Sequence, residues 1–217
     1  MLNSEIVTAK NFITVTLFCY HNNEIKTLTD DKGLFAPIIS EFHPNQFKSL
    51  CEALELLLMT ENGLVVNYTE QIQTDMNTLR FDNSLFINYF CIVEANSISD
   101  LSKWVSIEKV NHSNNEELGK LLFNALELLK FRAGHTNIAI NFLPKKFTVT
   151  ELRIITENLL SETLNNSRFR DRLEKAELLK VIPGEKIIEG KGKPAQLFQL
   201  NPEFKGNFYP KSLTKAT

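Results

Sequence analysis

The sequence has no apolar run of the roughly 20 residues that a helix needs to cross a bilayer. Its N-terminus, Met1 to Lys10, is mixed polar and lacks the apolar core of a signal peptide. It also contains no internal repeat and no low-complexity tract. These absences argue against a membrane protein and a secreted one, so we expect no membrane partner and a cytoplasmic location.

Cysteine and histidine are scarce. The cysteines Cys19, Cys51 and Cys91 lie far apart in apolar stretches, which predicts buried free thiols and not a disulfide framework. An apolar setting favours the neutral thiol, which argues against catalysis by a cysteine and histidine pair. The four histidines include no pair at metal-ligand spacing. We therefore expect no catalytic residue of this kind, no metal site and no cofactor.

The charges are divided unevenly along the chain. The 217 residues carry a net charge of -2 and are 43% hydrophobic, which is enough for two domains with cores of their own. Residues 144–217 hold 14 Lys and Arg against 9 Asp and Glu, a net charge of +5, whereas residues 1–143 hold 10 against 17, a net charge of -7. This asymmetry favours a basic, DNA-facing domain after Pro144 and an acidic domain before it.

The basic part carries two helix-start signals. Thr148 and Glu151 have the spacing of a capping box, which predicts a helix from Thr148 to about Leu160. Asn165 or Asn166 is a suitable cap for a second helix. The pattern therefore predicts two consecutive helices joined by a short polar turn.

The second predicted helix has one apolar stripe, formed by Phe169, Leu173 and Ala176, and a charged opposite side. Two predicted strands follow, Leu179–Ile182 and Ala195–Leu200, with a basic loop between them from Pro183 to Lys193. An isolated charged helix of this kind is usually a solvated surface helix. Two helices followed by a basic hairpin are, however, typical of a winged helix-turn-helix, in which the second helix enters the major groove.

Residues 1–143 alternate between predicted strands and helices, with a packed connector at the end. The predicted strands are Phe12–Tyr20 and Glu24–Leu28 as a hairpin, then Leu64–Gln73 and Ser84–Glu94, with a loop at Thr74–Asn83, and another short segment begins at Trp104–Ser106. The predicted helices are Gln46–Met59, ended by Gly63, and a helix from the capping box at Ser113 to Ala133, ended by Gly134, before the connector Thr136–Leu143.

Several of these segments resemble a known family. Leu143–Leu152, Asn165–Arg170 and Gly192–Phe198 look like the winged helix domain of the Nudix-related, NrtR-like transcriptional regulators. The order of elements in residues 1–143 is similar to a Nudix domain. The resemblance implies an α+β fold, in which a Nudix-like α/β/α sandwich over residues 1–143 precedes a winged helix-turn-helix over residues 144–217.

The segment that aligns with the Nudix catalytic box lacks most of the carboxylates of that motif. When its final glycine is aligned on Gly63, only Glu61 remains of four carboxylates, and Lys48, Leu57 and Thr60 occupy the other three positions. Nudix hydrolysis uses several carboxylates from one helix to hold Mg²⁺ against a pyrophosphate. We therefore predict that the domain is not an enzyme and senses a small molecule. The alternative is a residual Nudix hydrolase of nucleoside diphosphate sugars with an appended nucleic-acid-binding domain.

The resemblance implies a dimeric regulator that binds a double-stranded DNA operator under the control of a small effector. Two symmetry-related helices also read more sequence than one. The effector implied is a sugar, a sugar phosphate or an ADP-ribose-like nucleotide, and Glu61 and Arg80 are candidate contacts to it. A protein-interaction module stays open as a third interpretation, since winged helices also dock proteins.

The predicted DNA contacts fall into two groups. Lysines beside the helices and in the wing are assigned to phosphates, while the start of the second helix is assigned to base edges, because arginine can pair bidentately with guanine. The phosphate set is Lys145, Lys146, Lys191 and Lys193, and the base-edge set is Asn166, Ser167, Arg168 and Arg170. Thr148, Arg172 and Lys175 complete the predicted DNA-binding residues.

Overall fold

The computed structural model describes residues 10–42, 49–76, 84–110, 115–187 and 194–204. These residues form two compact units. The first unit comprises the described residues within Met1–Cys19 and Lys26–Leu126, and the second those within Tyr20–Ile25 and Glu127–Thr217. The domain boundary between Leu143 and Pro144 stays a prediction.

A mixed six-stranded sheet forms the centre of the first unit. Its strands are β1 (Asn11–His21), β2 (Glu24–Leu28), β3 (Ile38–Glu41), β4 (Val66–Met76), β5 (Leu85–Val93) and β6 (Trp104–Ser106). The order is β4-β5-β1-β2-β6, and β3 pairs with residues Phe12–Val15 of β1. The pairing of β1 with β5 is parallel, and those of β1 with β3, β2 with β6 and β4 with β5 are antiparallel. The four predicted strands are confirmed, and β6 forms where the short segment at Trp104 was expected. Strand β4 continues to Met76 into the predicted loop, whose residues 77–83 lie outside the described ranges.

The predicted hairpin of β1 and β2 turns at two asparagines. Asn22 and Asn23 have φ angles of 53° and 63°. Positive φ at both central residues is the mark of a tight hairpin turn, and asparagine tolerates it better than most residues. This polar turn therefore closes the hairpin where the sequence predicted it.

Helix α1 (Leu50–Asn62) covers one face of the sheet. The predicted start at Gln46 is wrong, because Ser49 is extended (φ -148°, ψ 158°) and its hydroxyl caps the helix by accepting from the Glu52 amide at 3.1 Å. The predicted stop is confirmed: Gly63 has φ 68°, and its amide donates to the Met59 carbonyl at 3.1 Å. Leu54 and Leu58 are buried with the inward-facing side chains of β1 and β5.

Helix α2 (Glu116–His135) differs from its prediction at both ends. Asn115 supplies the cap, because its side chain accepts from the Glu117 amide at 3.0 Å, while the predicted cap Ser113 lies outside the described ranges. The prediction that Gly134 ends the helix is wrong, since the helix runs to His135. The end is fixed instead by Thr136, whose amide and hydroxyl both donate to the Arg132 carbonyl, at 2.7 and 2.8 Å.

The second unit contains α3 (Val149–Leu160), α4 (Asn166–Lys175), β7 (Leu179–Ile187) and β8 (Ala195–Leu200), preceded by a 3₁₀ turn at Ile138–Phe142. Both predicted helices and the packed connector are confirmed. The core is formed by Phe147, Leu152, Ile155, Phe169 and Leu173, all nearly inaccessible.

The wing departs from its prediction on one side. The predicted loop was expected to start at Pro183, but β7 continues to Ile187 through a register shift between Val181 and Lys186. Gly184, with φ 78°, allows this irregularity. The tip, residues 188–193, lies outside the described ranges. In the part of the chain that is described, no helix is long and apolar enough to span a membrane.

Candidate nucleic-acid interface and small-molecule pockets

Helix α4 presents most of the predicted DNA contacts on one exposed face. It starts at Asn166 because the Asn165 side chain accepts from the Arg168 amide at 3.0 Å. Phe169 and Leu173 are 2% and 3% exposed and fix the inner face of the helix. The residues left exposed are Asn166, Ser167, Arg168, Arg170, Asp171, Glu174 and Lys175.

The exposed face is cationic at its N-terminal end. Arg168 is exposed, and the Arg170 guanidinium donates through Nε to the Asn166 side chain at 3.1 Å. This bond orients the guanidinium beside the first turn, where the helix dipole adds positive potential. Arg172 is half-buried at the flank. The helix can therefore offer fixed donors to an anionic surface outside the protein.

The turn between α3 and α4 is held by Glu157. Its Oε1 accepts from the Leu164 amide at 2.7 Å and from the Arg153 guanidinium at 2.5 Å. Ser161 ends α3 in the left-handed region, with φ 54° and ψ 33°. These local contacts set the angle at which α4 leaves the turn, although no sequence pattern had pointed to Glu157.

Thr148 has a structural task. Its hydroxyl accepts from the Glu151 amide at 3.1 Å, and the Glu151 carboxylate accepts from the Thr148 amide at 2.6 Å. This is the predicted capping box. Because Thr148 is only 2% exposed and its hydroxyl is occupied, it offers no accessible group to a phosphate.

The predicted phosphate-binding lysines have different surroundings. Lys145 is exposed. Lys146 donates to both carboxylate oxygens of Glu185 on β7, each at 2.7 Å, so an anion would compete with that carboxylate. The wing residues Lys191 and Lys193 lie outside the described ranges.

A pocket of about 250 Å³ lies beside α1 in the first unit. It is lined by Ile13, Val15, Ser40, Glu41, Phe42, Ala53, Leu54, Leu56, Leu57, Thr60 and Glu61. The structure therefore brings the predicted effector contact Glu61 to a cavity. The other predicted contact, Arg80, lies outside the described ranges.

The donor set of this pocket does not fit the Mg²⁺ that a Nudix fold implies. Glu61 is the one carboxylate that α1 supplies to the lining, while Leu56 and Leu57 present carbon. The second carboxylate, Glu41, comes from β3 and pairs with Lys10 at 3.6 Å. Within the described ranges, no three Asp, Glu, His or Cys side chains converge as metal ligands.

A second pocket, of about 320 Å³, lies between the opposite face of the sheet and α2, and the sequence analysis missed it. Seven of its nine lining residues are polar or charged, and the full set is Thr14, Gln73, Asp75, Asn88, Glu117, Leu118, Lys120, Leu121 and Asn124. Thr14 and Asn88 are buried polar residues within apolar strands. A polar side chain at an inward-facing position of a strand was the sequence signal that could have indicated this pocket.

The three thiols differ in accessibility. Cys19 and Cys91 are buried as predicted, and burial raises the pKa of each thiol to about 12. The prediction is wrong for Cys51, which is exposed in the first turn of α1.

The chain matches known regulators in sequence. Residues 139–200 match the model of the NrtR DNA-binding winged helix domain. The chain is 27% identical over 163 residues to the ADPR-responsive transcriptional repressor NtrR of Acinetobacter baylyi, in an alignment that covers 71% of this chain and 64% of that protein. It thus spans less than two thirds of the length of this relative.

Solved structures are similar in fold. The NrtR of Shewanella oneidensis, crystallised with a 27mer DNA, has a TM-score of 0.79 at 24% identity, over 94% of this chain and 99% of that one. A MutT/nudix family protein from Enterococcus faecalis has a TM-score of 0.66 at 14% identity, over 89% and 88%. The comparisons confirm the resemblance to the Nudix-related, NrtR-like regulators and the α+β fold of a Nudix-like domain followed by a winged helix-turn-helix.

Proposed function

We propose that this chain, as a relative of the NrtR-like regulators, is a sequence-specific transcriptional regulator whose Nudix-like domain binds a small effector. The observation that carries the proposal is the exposed N-terminal half of α4, with Arg168 and Arg170 projecting from a helix anchored by Phe169 and Leu173. A rigid helix with exposed guanidinium groups suits the major groove.

Within this proposal, α4 reads base edges and its surroundings bind phosphates. Arg168 and Arg170 pair with guanine, and Asn166 and Ser167 are the neighbouring base contacts. Lys145 and Lys175 are exposed and suited to phosphates, with Arg172 at the flank. Lys146 joins them only when phosphate displaces Glu185. Lys191 and Lys193 of the wing complete the set.

A homodimer is part of the proposal, as is a cytoplasmic location with access to DNA. One recognition helix contacts only a few base pairs, whereas two helices related by symmetry read two half-sites of a palindrome. We also propose that the functional division lies near Pro144, with the effector domain before it and the DNA-binding domain after it.

The effector domain is proposed to bind without catalysis. The aligned box positions Leu57 and Thr60 cannot supply carboxylates, and Glu61 alone is a poor chelate. A sugar, a sugar phosphate or an ADP-ribose-like nucleotide is the proposed class, and the ADPR-responsive repressor of Acinetobacter baylyi supports the last. Glu61 and Arg80 remain proposed contacts.

The DNA-binding proposal is tested by titrating the full-length protein into labelled DNA from the region upstream of its own gene. A scrambled duplex of equal length and composition is the control, and both are measured at one stated salt concentration. We expect tighter binding to the natural region by a factor on the order of 10³ or more. Equal affinity for the two duplexes would remove the claim of sequence specificity.

The alternative, a residual Nudix hydrolase, is favoured by the two carboxylates of the α1 pocket, Glu41 and Glu61. Incubation of the protein with ADP-ribose and Mg²⁺ separates the two proposals. We expect no AMP above the level of a protein-free control. AMP release that is lost in Glu61→Gln would establish the hydrolase.

A further inference from the structure

The pocket between the sheet and α2 has a connected polar floor. The Asp75 Oδ2 accepts from the Gln73 side-chain amide at 2.5 Å and from the Asn88 side-chain amide at 2.9 Å. The Gln73 Oε1 in turn accepts from the Asn124 side-chain amide at 2.9 Å. Two strands and one helix are thereby joined by four side chains around one cavity.

The carboxylate of Asp75 determines how these amides are oriented. A carboxylate can only accept hydrogen bonds, so Gln73 and Asn88 must each turn their NH₂ group towards it. Gln73 then presents its oxygen to Asn124, which must also donate through its NH₂ group. The bonds thus leave a defined set of atoms for a ligand.

The groups that remain include both acceptors and donors, because each of the three NH₂ groups keeps one N–H. Within the described part of the chain, the Oδ1 atoms of Asp75, Asn88 and Asn124 make no hydrogen bond. Thr14 lines the same pocket, and its hydroxyl is fully buried without a partner among the described residues. A buried polar atom without a partner costs on the order of 1–3 kcal/mol. A ligand whose groups both donate and accept hydrogen bonds, as hydroxyls do, would satisfy these groups.

The charges around the pocket disfavour an anionic ligand. Lys120 is the only cation in its described lining, and it is already paired with Glu116 at 2.8 Å. The same hydrogen bond raises the pKa of Lys120. Asp75 and Glu117 add two carboxylates to the lining. Among the described lining residues, a phosphate or pyrophosphate would therefore meet two carboxylates and one cation that is already paired.

We propose that this pocket binds a neutral polyhydroxylated small molecule of monosaccharide size through Asp75, Asn88, Asn124 and Thr14. Sugar hydroxyls supply the donors that the acceptors require, and each hydroxyl can also accept from a neighbouring amide. The volume of about 320 Å³ lies at the lower end of the roughly 300–1,000 Å³ range of ligand pockets, which suits one sugar ring. The role of this ligand as an effector rests on the proposed regulatory function.

Calorimetric titration of the full-length protein with the common aldopentoses and aldohexoses tests the proposal. ADP-ribose and the diamine putrescine serve as anionic and cationic comparators. We expect at least one free sugar to bind, with its affinity reduced roughly 10- to 100-fold in Asp75→Asn. The proposal would be overturned if no sugar binds. Binding of putrescine or ADP-ribose that Asp75→Asn weakens, in the absence of sugar binding, would assign the pocket to that ligand instead.

Thr14→Val separates a ligand contact from a structural role. The substitution removes a hydroxyl that has no described partner, so the melting temperature without ligand should stay equal or rise, while sugar affinity falls about 3- to 10-fold. Thr16→Val is the matched control, since Thr16 is equally buried on the same strand, its hydroxyl also has no described partner, and it does not line the pocket. Equal sugar affinity in both variants would remove Thr14 from the site.

Failure of this proposal can be told apart from failure of the regulatory function. Sugar binding is measured without DNA, and binding to the upstream duplex is measured without sugar. A protein that binds the duplex specifically and releases it with ADP-ribose but binds no sugar keeps its regulatory function and loses this pocket assignment. A protein that binds sugar but no DNA keeps this pocket assignment and loses the regulatory function.

Discussion

The two units place their polar side chains differently. In the second unit, the arginines of α4 are exposed on a helix anchored by Phe169 and Leu173. In the first unit, Asp75 and Asn88 face a cavity and are bonded to their neighbours. Exposed cations suit a polyanion that is larger than the protein, whereas an enclosed set of hydrogen-bonding groups suits a small molecule. The contrast supports the proposed division between a DNA-binding unit and an effector-binding unit.

The two pockets of the first unit sharpen this contrast. The pocket beside α1 lies where a Nudix enzyme would hold its metal, yet Leu56 and Leu57 line it. The pocket beside α2 holds the connected amides and the buried Thr14 hydroxyl. The scarcity of carboxylates in the pocket beside α1 and the polar groups of the pocket beside α2 support the proposal that this unit binds a small molecule.

The largest effect is expected from Arg168→Ala combined with Arg170→Ala. Each guanine contact contributes about 1–3 kcal/mol, so the free energy of binding to the upstream duplex should become less favourable by about 2–6 kcal/mol. Fluorescence anisotropy at fixed salt measures this. Lys130→Ala removes one exposed cation of α2 and is the control, for which we expect little change. If the double variant binds as the unmodified protein does, α4 is not the reading helix.

A core substitution should separate stability from recognition. Leu152 of α3 is fully buried, so Leu152→Ala should lower the free energy of unfolding by about 2–5 kcal/mol. Urea denaturation followed by circular dichroism measures this. Because Arg168 is exposed, Arg168→Ala should change the free energy of unfolding by no more than about 0.5 kcal/mol. A large loss of stability in Arg168→Ala would mean that the arginine packs and is not free to bind.

Thr148→Ala tests the capping role against the predicted DNA contact. Loss of the cap should cost about 0.5–2 kcal/mol of unfolding free energy, and Thr148→Ser should restore most of it. DNA affinity, measured well below the melting temperature, should not change in either variant. Weaker DNA binding by Thr148→Ala with normal stability would return this residue to the interface.

The smallest effect concerns the thiols. Because burial raises the pKa of Cys19 and Cys91 to about 12, both should stay protonated and unreactive in the folded protein at pH 8. Cys51 is exposed, so iodoacetamide should add one label per folded chain, detected by mass spectrometry. Cys51→Ser should take none. Rapid labelling of two or three sites would contradict the burial of the other thiols.

Local signals explain why the second unit could be predicted well. The capping box of Thr148 and Glu151 and the cap at Asn165 act within three residues, so the sequence alone located both helices. The continuation of β7 beyond Pro183 was not predicted, because the register shift depends on pairing with β8 across the hairpin.

Long-range pairing explains why the site in the first unit was missed. Thr14, Asn88 and Asn124 are more than 30 residues apart from one another in sequence. They meet only because β1 pairs in parallel with β5 and α2 lies across them. The polar positions were visible in the sequence, but their convergence required the sheet order.

Footprinting on the region upstream of the gene is the most direct test of the central claim, that a dimer reads DNA through α4. We predict two protected half-sites whose centres lie about 10 base pairs, or a multiple of one helical turn, apart. We further predict that this protection disappears with Arg168→Ala and Arg170→Ala together. Protection that is uniform, absent or unchanged in the double variant would contradict the claim.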